Sequence, residues 1–268
     1  MEINLNGKTS LVCASSRGIG YSCAKNLAVA GSNIILTGRN ENTLNEAKAN
    51  ILEIAHVHSK KITVSSIKVD LDKKDELHSL IDSLDSYDGI DILILNSGGP
   101  APGKFDDFET IDDFEEKSSM ITFPASSLIK KVLPVMKKRK WGRIINISSI
   151  GLAKPITGLA VSNAARGHLG ALMVGIANEN ACHGITLNTV LPGIIWTDRQ
   201  KYLTESDAAS LGIGFEEMKD RKSSSIPSGV MGDPDDVGHL VTFLSSDYAS
   251  YINSQFISVD GGLLGLLR

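Results

Sequence analysis

The chain has 268 residues, 42% of them apolar and 22% charged, a balance that supplies a buried core and excludes disordered and fibrous classes. Its formal net charge of −4 gives no general electrostatic pull toward nucleic acid or anionic membrane, so neither is expected as a partner. Three cysteines, Cys13, Cys23 and Cys182, are too few and too scattered for a disulfide framework or a zinc site; all three read as small core hydrophobes, and no metal centre is expected.

The opening stretch MEINLNGKTSLVCASS lacks the charged-then-apolar plan of a signal peptide, which gives a cytoplasmic expectation. Short β-branched or apolar runs then recur at 9–14 (TSLVCA), 33–37 (NIILT), 62–69 (ITVSSIKV), 91–95 (DILIL), 142–148 (GRIINIS), 185–190 (ITLNTV) and 255–259 (QFISV), with helical patterns between most of them. Runs as continuously apolar as DILIL suit strands covered on both faces, and intervening helices supply that cover as right-handed crossovers. The fold class expected is α/β, a doubly wound parallel β-sheet of Rossmann type, as a single domain over 1–268. His56 and His58 lie two apart on a helix, point to different sides and read as helix-end polar residues. In the helical pattern at 110–140, Pro124 and Pro134 predict a kink or a break, and the basic run KKRK at 137–140 reads as cations complementing the helix dipole. The segment 198–231 interrupts the strand-helix rhythm before the last helix and is expected to be a substrate lid.

After the first strand comes CASSRGIG, residues 13–20. Glycines at a strand-to-helix turn let the backbone approach a pyrophosphate and point N–H groups at it, which is a dinucleotide-binding plan. The second strand ends ILTGRN, placing Arg39 where the adenosine ribose would lie. An acid there favours NAD, whereas Arg39, joined by Arg17, favours a 2′-phosphate, so NADP(H) is the expected cofactor.

These segments resemble the short-chain dehydrogenase/reductase family. CASSRGIG resembles its Thr-Gly-x-x-x-Gly-x-Gly loop, with Cys13 for the threonine and Ala14 for the first glycine. The resemblance assigns cofactor contact to Ser16, Arg17, Gly18, Ile19 and Gly20. It also assigns adenine contact to Asp70 with Leu71, and a cofactor-side turn to Asn96 and Gly98 in NSGG (96–99). The nicotinamide segment falls on Pro192, Gly193 and Thr197 in PGIIWT (192–197), and VDGG (259–262) closes the match.

The family works with an Asn-Ser-Tyr-Lys tetrad in which the lysine lowers the tyrosine pKa for proton transfer. Ser149 in NISSIG matches the serine that polarises a substrate oxygen, but the Tyr-x-x-x-Lys positions fall on Leu159 and Asn163, and the asparagine falls near Ile121. At 100° per residue Leu159, Asn163 and Arg166 share a narrow arc, so Arg166 is expected to face the same way as the missing pair. The catalytic set expected is Ser149, Asn163 and Arg166, with Asn163 also bonding the nicotinamide ribose and Arg166 meeting an oxyanion or anionic group. Neither can serve as the acid, which leaves water or Lys154. The loop GGPAPG at 98–103 should be a stiff turn walling the nicotinamide side or the substrate. The whole reads as a divergent branch resembling 3-oxoacyl-carrier-protein reductases.

Two functions compete: an NADP(H)-dependent oxidoreductase acting on a small carbonyl or alcohol, and an NADP(H)-binding sensor or structural protein without turnover. The resemblance also implies a homo-oligomer, tetramer or dimer, built on the helices at 110–140 and 158–180 and the tail GGLLGLLR.

Overall fold

A computed structural model describes residues 2–265; the last three residues of the tail invoked for oligomerisation lie outside them. All seven expected strands form: β1 (Thr9–Val12), β2 (Asn33–Gly38), β3 (Val64–Lys68), β4 (Ile92–Leu95), β5 (Gly142–Ile147), β6 (Ile185–Pro192) and β7 (Phe256–Val259). They make one sheet in the order β3-β2-β1-β4-β5-β6-β7, with every pair parallel. Parallel neighbours need crossovers, and the helices supplying them cover both faces, so β4, β5 and β6 are buried at every position.

One face carries α1 (Gly18–Val29), α2 (Glu41–Val57) and α8 (Pro234–Leu244), the other α3 (Lys74–Ser83), α4 (Ile111–Arg139) and α5 (Ala160–Asn180). Each set encloses its own apolar layer: Leu27, Leu36, Ile94 and Val241 on the first, Leu93, Leu128, Leu169 and Leu187 on the second. Charge adds a clamp on the first face, where Asp235 of α8 accepts from Lys25 at 2.5 Å and from Ser22 and Asn26, all on α1. Between β6 and α8 lie α6 (Asp198–Leu211) and α7 (Phe215–Ser224), separated at Gly212, whose φ of +65° suits glycine.

Two expectations are corrected. Of the kink or break expected at the prolines, a break does not occur: α4 runs unbroken through Pro124 and Pro134 for 29 residues. Its buried stripe of Ile121, Ala125, Leu128, Val132 and Met136 outweighs the lost bonds, and the Thr122 and Ser126 hydroxyls donate to carbonyls four residues back beside Pro124. Cys182 is exposed, because it falls in a single-turn 3-10 segment after α5 rather than on a core-facing position, whereas Cys13 and Cys23 are buried. The basic run does close α4, with Lys140 as a left-handed cap, and His56 and His58 occupy the last turn and C-cap of α2.

Candidate functional site

The glycine loop is tied on both sides. Ala14 donates its N–H to Thr37 Oγ1 at 3.2 Å, and Asn96 Nδ2 from the end of β4 donates to the Ala14 and Cys13 carbonyls. Ser15 Oγ donates to the Val12 carbonyl at 2.8 Å and accepts from the Thr37 N–H at 3.0 Å. Ala14 itself holds φ +46°, in the left-handed region, at the position where the sequence has alanine for the family glycine. Gly20 is required for another reason: a Cβ there would collide with the Ala14 carbonyl oxygen and lie 2.8 Å from Asn96 Nδ2.

This tight turn delivers α1 with its N-terminus unsatisfied. Its N-cap is Arg17, which makes no side-chain cap, and its first turn holds no acid. The first-turn N–H groups of Gly18, Ile19 and Gly20 are therefore left for an anion. The turn leading into them lines a cleft of about 330 Å³, walled by Ser16, Arg17, Arg39, Asp70, Leu71, Gly98 and Arg199. Uncapped donors at one end and two exposed arginines on the same wall suit the phosphates and ribose of a dinucleotide, so the residues present fit such a cofactor.

Three residues of this cleft were not legible in sequence. Asp72 joins Asp70 at the mouth; partial burial and the Asp70 charge push its carboxyl above the usual range, while Arg39 pulls it back. Ser97 lines the floor. Arg199, in the first turn of α6, reaches across the cleft and donates to the Gly98 carbonyl. Arg17 lies 3.9 Å from Asp198 on the same turn, both exposed.

The nicotinamide segment divides. Thr197 is the N-cap of α6, accepting from the Gln200 N–H at 3.3 Å, and its Cγ2 lies 3.4 Å from where a Gly18 Cβ would be. Pro192 ends β6 in the buried sheet. Gly193 packs against the backbone of Asp260, where a Cβ would come within 2.8 Å, and donates to the Val259 carbonyl.

Ser149 stands at the end of β5, half-buried, with Oγ accepting the Gly151 N–H at 3.0 Å. Its own hydroxyl proton is free to point outward. Leu159 precedes α5 rather than starting it, with φ −125° and ψ +41°. Asn163 and Arg166 sit close together on the helix as expected, but their side chains do not point to one place. Asn163 turns onto the loop after Ser149, where Nδ2 donates to the Ile156 carbonyl at 2.9 Å and Oδ1 accepts the Ile156 N–H at 3.3 Å. Arg166 goes the other way: its Nε donates to Ser162 Oγ one turn back at 3.1 Å, and Nη2 lies 3.3 Å from where a Gly99 Cβ would be, near Ile121 of α4. Side chains on a helix lean toward its N-terminus, so a long arginine bonded to Ser162 diverges from a short amide held by the opposite loop. Lys154 is exposed in the turn beyond Ser149.

The loop at 98–103 is fixed to the start of α5. Gly103 donates to the Gly158 carbonyl at 2.7 Å and accepts from the Ala160 N–H at 3.2 Å.

Comparison with known proteins matches this arrangement as a whole. Residues 13–264 match the family described as enoyl-(acyl carrier protein) reductase. The chain is similar to the 3-oxoacyl-(acyl-carrier-protein) reductase FabG of Aquifex aeolicus, at 34% identity over 98% of this chain and 100% of that one. It is similar to the D-beta-hydroxybutyrate dehydrogenase of Cupriavidus necator at 34% identity, over 96% and 98% of the two chains. Among solved structures it resembles YwfH, an NADPH-dependent reductase involved in bacilysin biosynthesis, with a TM-score of 0.89 at 28% identity over 97% and 99% of the chains. The tied glycine loop, the uncapped α1, the serine at the end of β5 and this end-to-end similarity have one reading: the chain belongs to the short-chain dehydrogenase/reductase family of oxidoreductases.

Proposed function

We propose that the chain is an NADP(H)-dependent oxidoreductase interconverting a small carbonyl and the corresponding alcohol, on a divergent branch of its family. The observation that carries this reading is the cleft lined by Arg17 and Arg39 at the start of the uncapped α1. A 2′-phosphate between the two guanidiniums would gain charge-assisted hydrogen bonds that an unphosphorylated ribose does not offer. Ser16, Gly18, Ile19 and Gly20 would hold the pyrophosphate, Asp70 and Leu71 the adenine end, and Asn96, Gly98 and Thr197 the nicotinamide half. When bound, the cofactor supplies or accepts a hydride.

The chain's own residues do the rest. Ser149 Oγ, oriented by the Gly151 N–H, donates its proton in a hydrogen bond to the substrate oxygen and polarises it. Asn163 works on the chain itself, bracing the 150–157 loop through Ile156, so that it fixes Ser149 rather than touching the cofactor. Water or the exposed Lys154 supplies the proton that the family draws from its tyrosine. The helices α6 and α7 act as the lid, closing over the cleft through Arg199. A soluble cytoplasmic homo-oligomer completes the reading, supported by Ile111 and Phe123, which stay exposed on α4.

The commitment of Asn163 to Ile156 favours a second reading, an NADP(H) sensor without turnover, because the side chain at the family's lysine position is taken up in bracing the chain's own loop. An NADPH-consumption screen across ketones, aldehydes and β-ketoacyl thioesters, with calorimetry of NADP(H) and NAD(H), separates the two. Turnover of any of these substrates supports the oxidoreductase; tight NADP(H) binding with no turnover supports the sensor; equal affinity for both cofactors overturns the 2′-phosphate argument.

A further inference from the structure

Beneath the turn at 96–97, next to the cofactor groove with which it shares Leu71 and Ser97, lies a cavity of about 20 Å³ between β4, β5, α4 and α5. A single water needs about 10–15 Å³ measured this way, so one compact occupant fits. Three polar groups border it without partners to satisfy them. Asn146 Nδ2 and Ser148 Oγ are unbonded, on residues only 4% and 8% exposed. The third is the Arg166 guanidinium: Nε bonds Ser162, but neither Nη atom has a hydrogen-bond or ion-pair partner among the described residues.

The electrostatics of this cavity are one-sided. No acidic residue lines it. The one thiol in its wall, Cys13, is pushed up to about 12 by burial and stays neutral. The charge felt most by Arg166 is another cation, Arg199, and together with burial it holds the guanidinium down to about 10. At neutral pH Arg166, half-buried, is thus a cation facing a second cation, with two buried O–H and N–H donors beside it and no acid in the lining among the described residues. A partly desolvated cation of this kind favours an anion as its partner. Water filling would satisfy donors but not neutralise them.

We infer that the Arg166 cavity is a binding site for one compact monovalent anion, held by Arg166, Asn146 Nδ2 and Ser148 Oγ. The same chemistry is offered by a halide from solution or by a carboxylate, and the arms of the test distinguish them. The inference stands apart from turnover, and all its readouts use cofactor-free protein.

Melting is followed while chloride or bromide replaces isethionate, a bulky sulfonate, at constant ionic strength. At about ten times the dissociation constant the melting temperature should have risen by about 3–6 °C and go on rising with the logarithm of anion concentration. Arg166→Met keeps the length of the side chain and removes the charge, and should lose this halide-dependent rise. Bromide-soaked crystals of the unaltered protein, which do not depend on that variant folding, should show an anomalous peak within hydrogen-bond distance of Arg166. Formate displacing that bromide extends the site to carboxylates, and bromide persisting in excess formate confines it to halides; either result upholds an anion site. Absence of an anomalous peak, together with the same halide response in wild type and variant, overturns it and leaves a water-filled cavity.

Discussion

Replacing Ala14 by glycine should stabilise this protein, against the usual effect of adding glycine. Ala14 sits at φ +46°, where the Cβ of an L-residue crowds its own backbone at a cost of about 1–2 kcal/mol. The strain persists because the backbone there is bonded at both ends, to Thr37 Oγ1 and to Asn96 Nδ2. Neither bond involves the methyl group, so Ala14→Gly keeps both. Glycine gives back about 0.4–1 kcal/mol through the greater freedom of its unfolded chain. The net gain is then about 0.5–1 kcal/mol, or about 1–4 °C in melting temperature for a chain of this size. Urea titration with parallel calorimetry measures it. Gly20→Ala is the companion of opposite sign: its Cβ meets the Ala14 carbonyl, and overpacking of that kind costs about 1–3 kcal/mol. Loss of stability in Ala14→Gly would refute the strain argument, and an unaffected Gly20→Ala would refute the close packing of the loop.

Arg39→Asp should reverse cofactor preference, with NADP(H) binding weakened by about 1.5–3 kcal/mol in calorimetry as the 2′-phosphate loses its charge-assisted bonds; unchanged NADP(H) affinity contradicts this. Ser149→Ala should lower kcat by about 10²–10³-fold while leaving cofactor affinity intact, measured with whichever substrate the screen yields. Asn163→Ala should cost about 1 kcal/mol in denaturation and increase hydrogen exchange at 150–157, since the Ile156 peptide loses both amide partners. At Asp235, burial raises the carboxyl pKa, but bonds from Lys25, Ser22 and Asn26 outweigh it and leave the group below the usual range. The stabilisation is therefore present above the unfolded carboxyl pKa, near 4, and is lost as pH falls through the lower folded value. Asp235→Asn should cost about 1–2 kcal/mol at pH 7 and converge with wild type in strong acid, as read from pH-dependent melting.

The strands were legible because a doubly covered sheet leaves an apolar run that nothing else in a 268-residue chain imitates, and Ile92–Leu95 is the plainest instance. The glycine loop was legible through spacing alone. Asp72 and Arg199 were not, because they enter the cleft from segments with no motif of their own, brought there by the turn after β3 and the first turn of α6. Angular position correctly placed Asn163 and Arg166 close together on the helix, yet it carries no rotamer, and hydrogen bonds to Ile156 and Ser162 sent the two side chains apart. Pro124 and Pro134 show the reverse case, a strong local signal overruled by an apolar stripe that holds α4 in place.

The bond pair between Gly103 and the start of α5 has a kinetic consequence. It couples the turn after β4 to the segment that follows β5, so those two segments move together. Passage of a reactant cannot then occur by spreading those segments without breaking both backbone bonds. If α6 and α7 act as the proposed lid, they bend against each other at the left-handed Gly212, and Arg199 on Gly98 is the contact that must release. Entry and departure should therefore share a single gate, and the dwell time of a product would be set by how often that latch releases, independently of the speed of the chemical step.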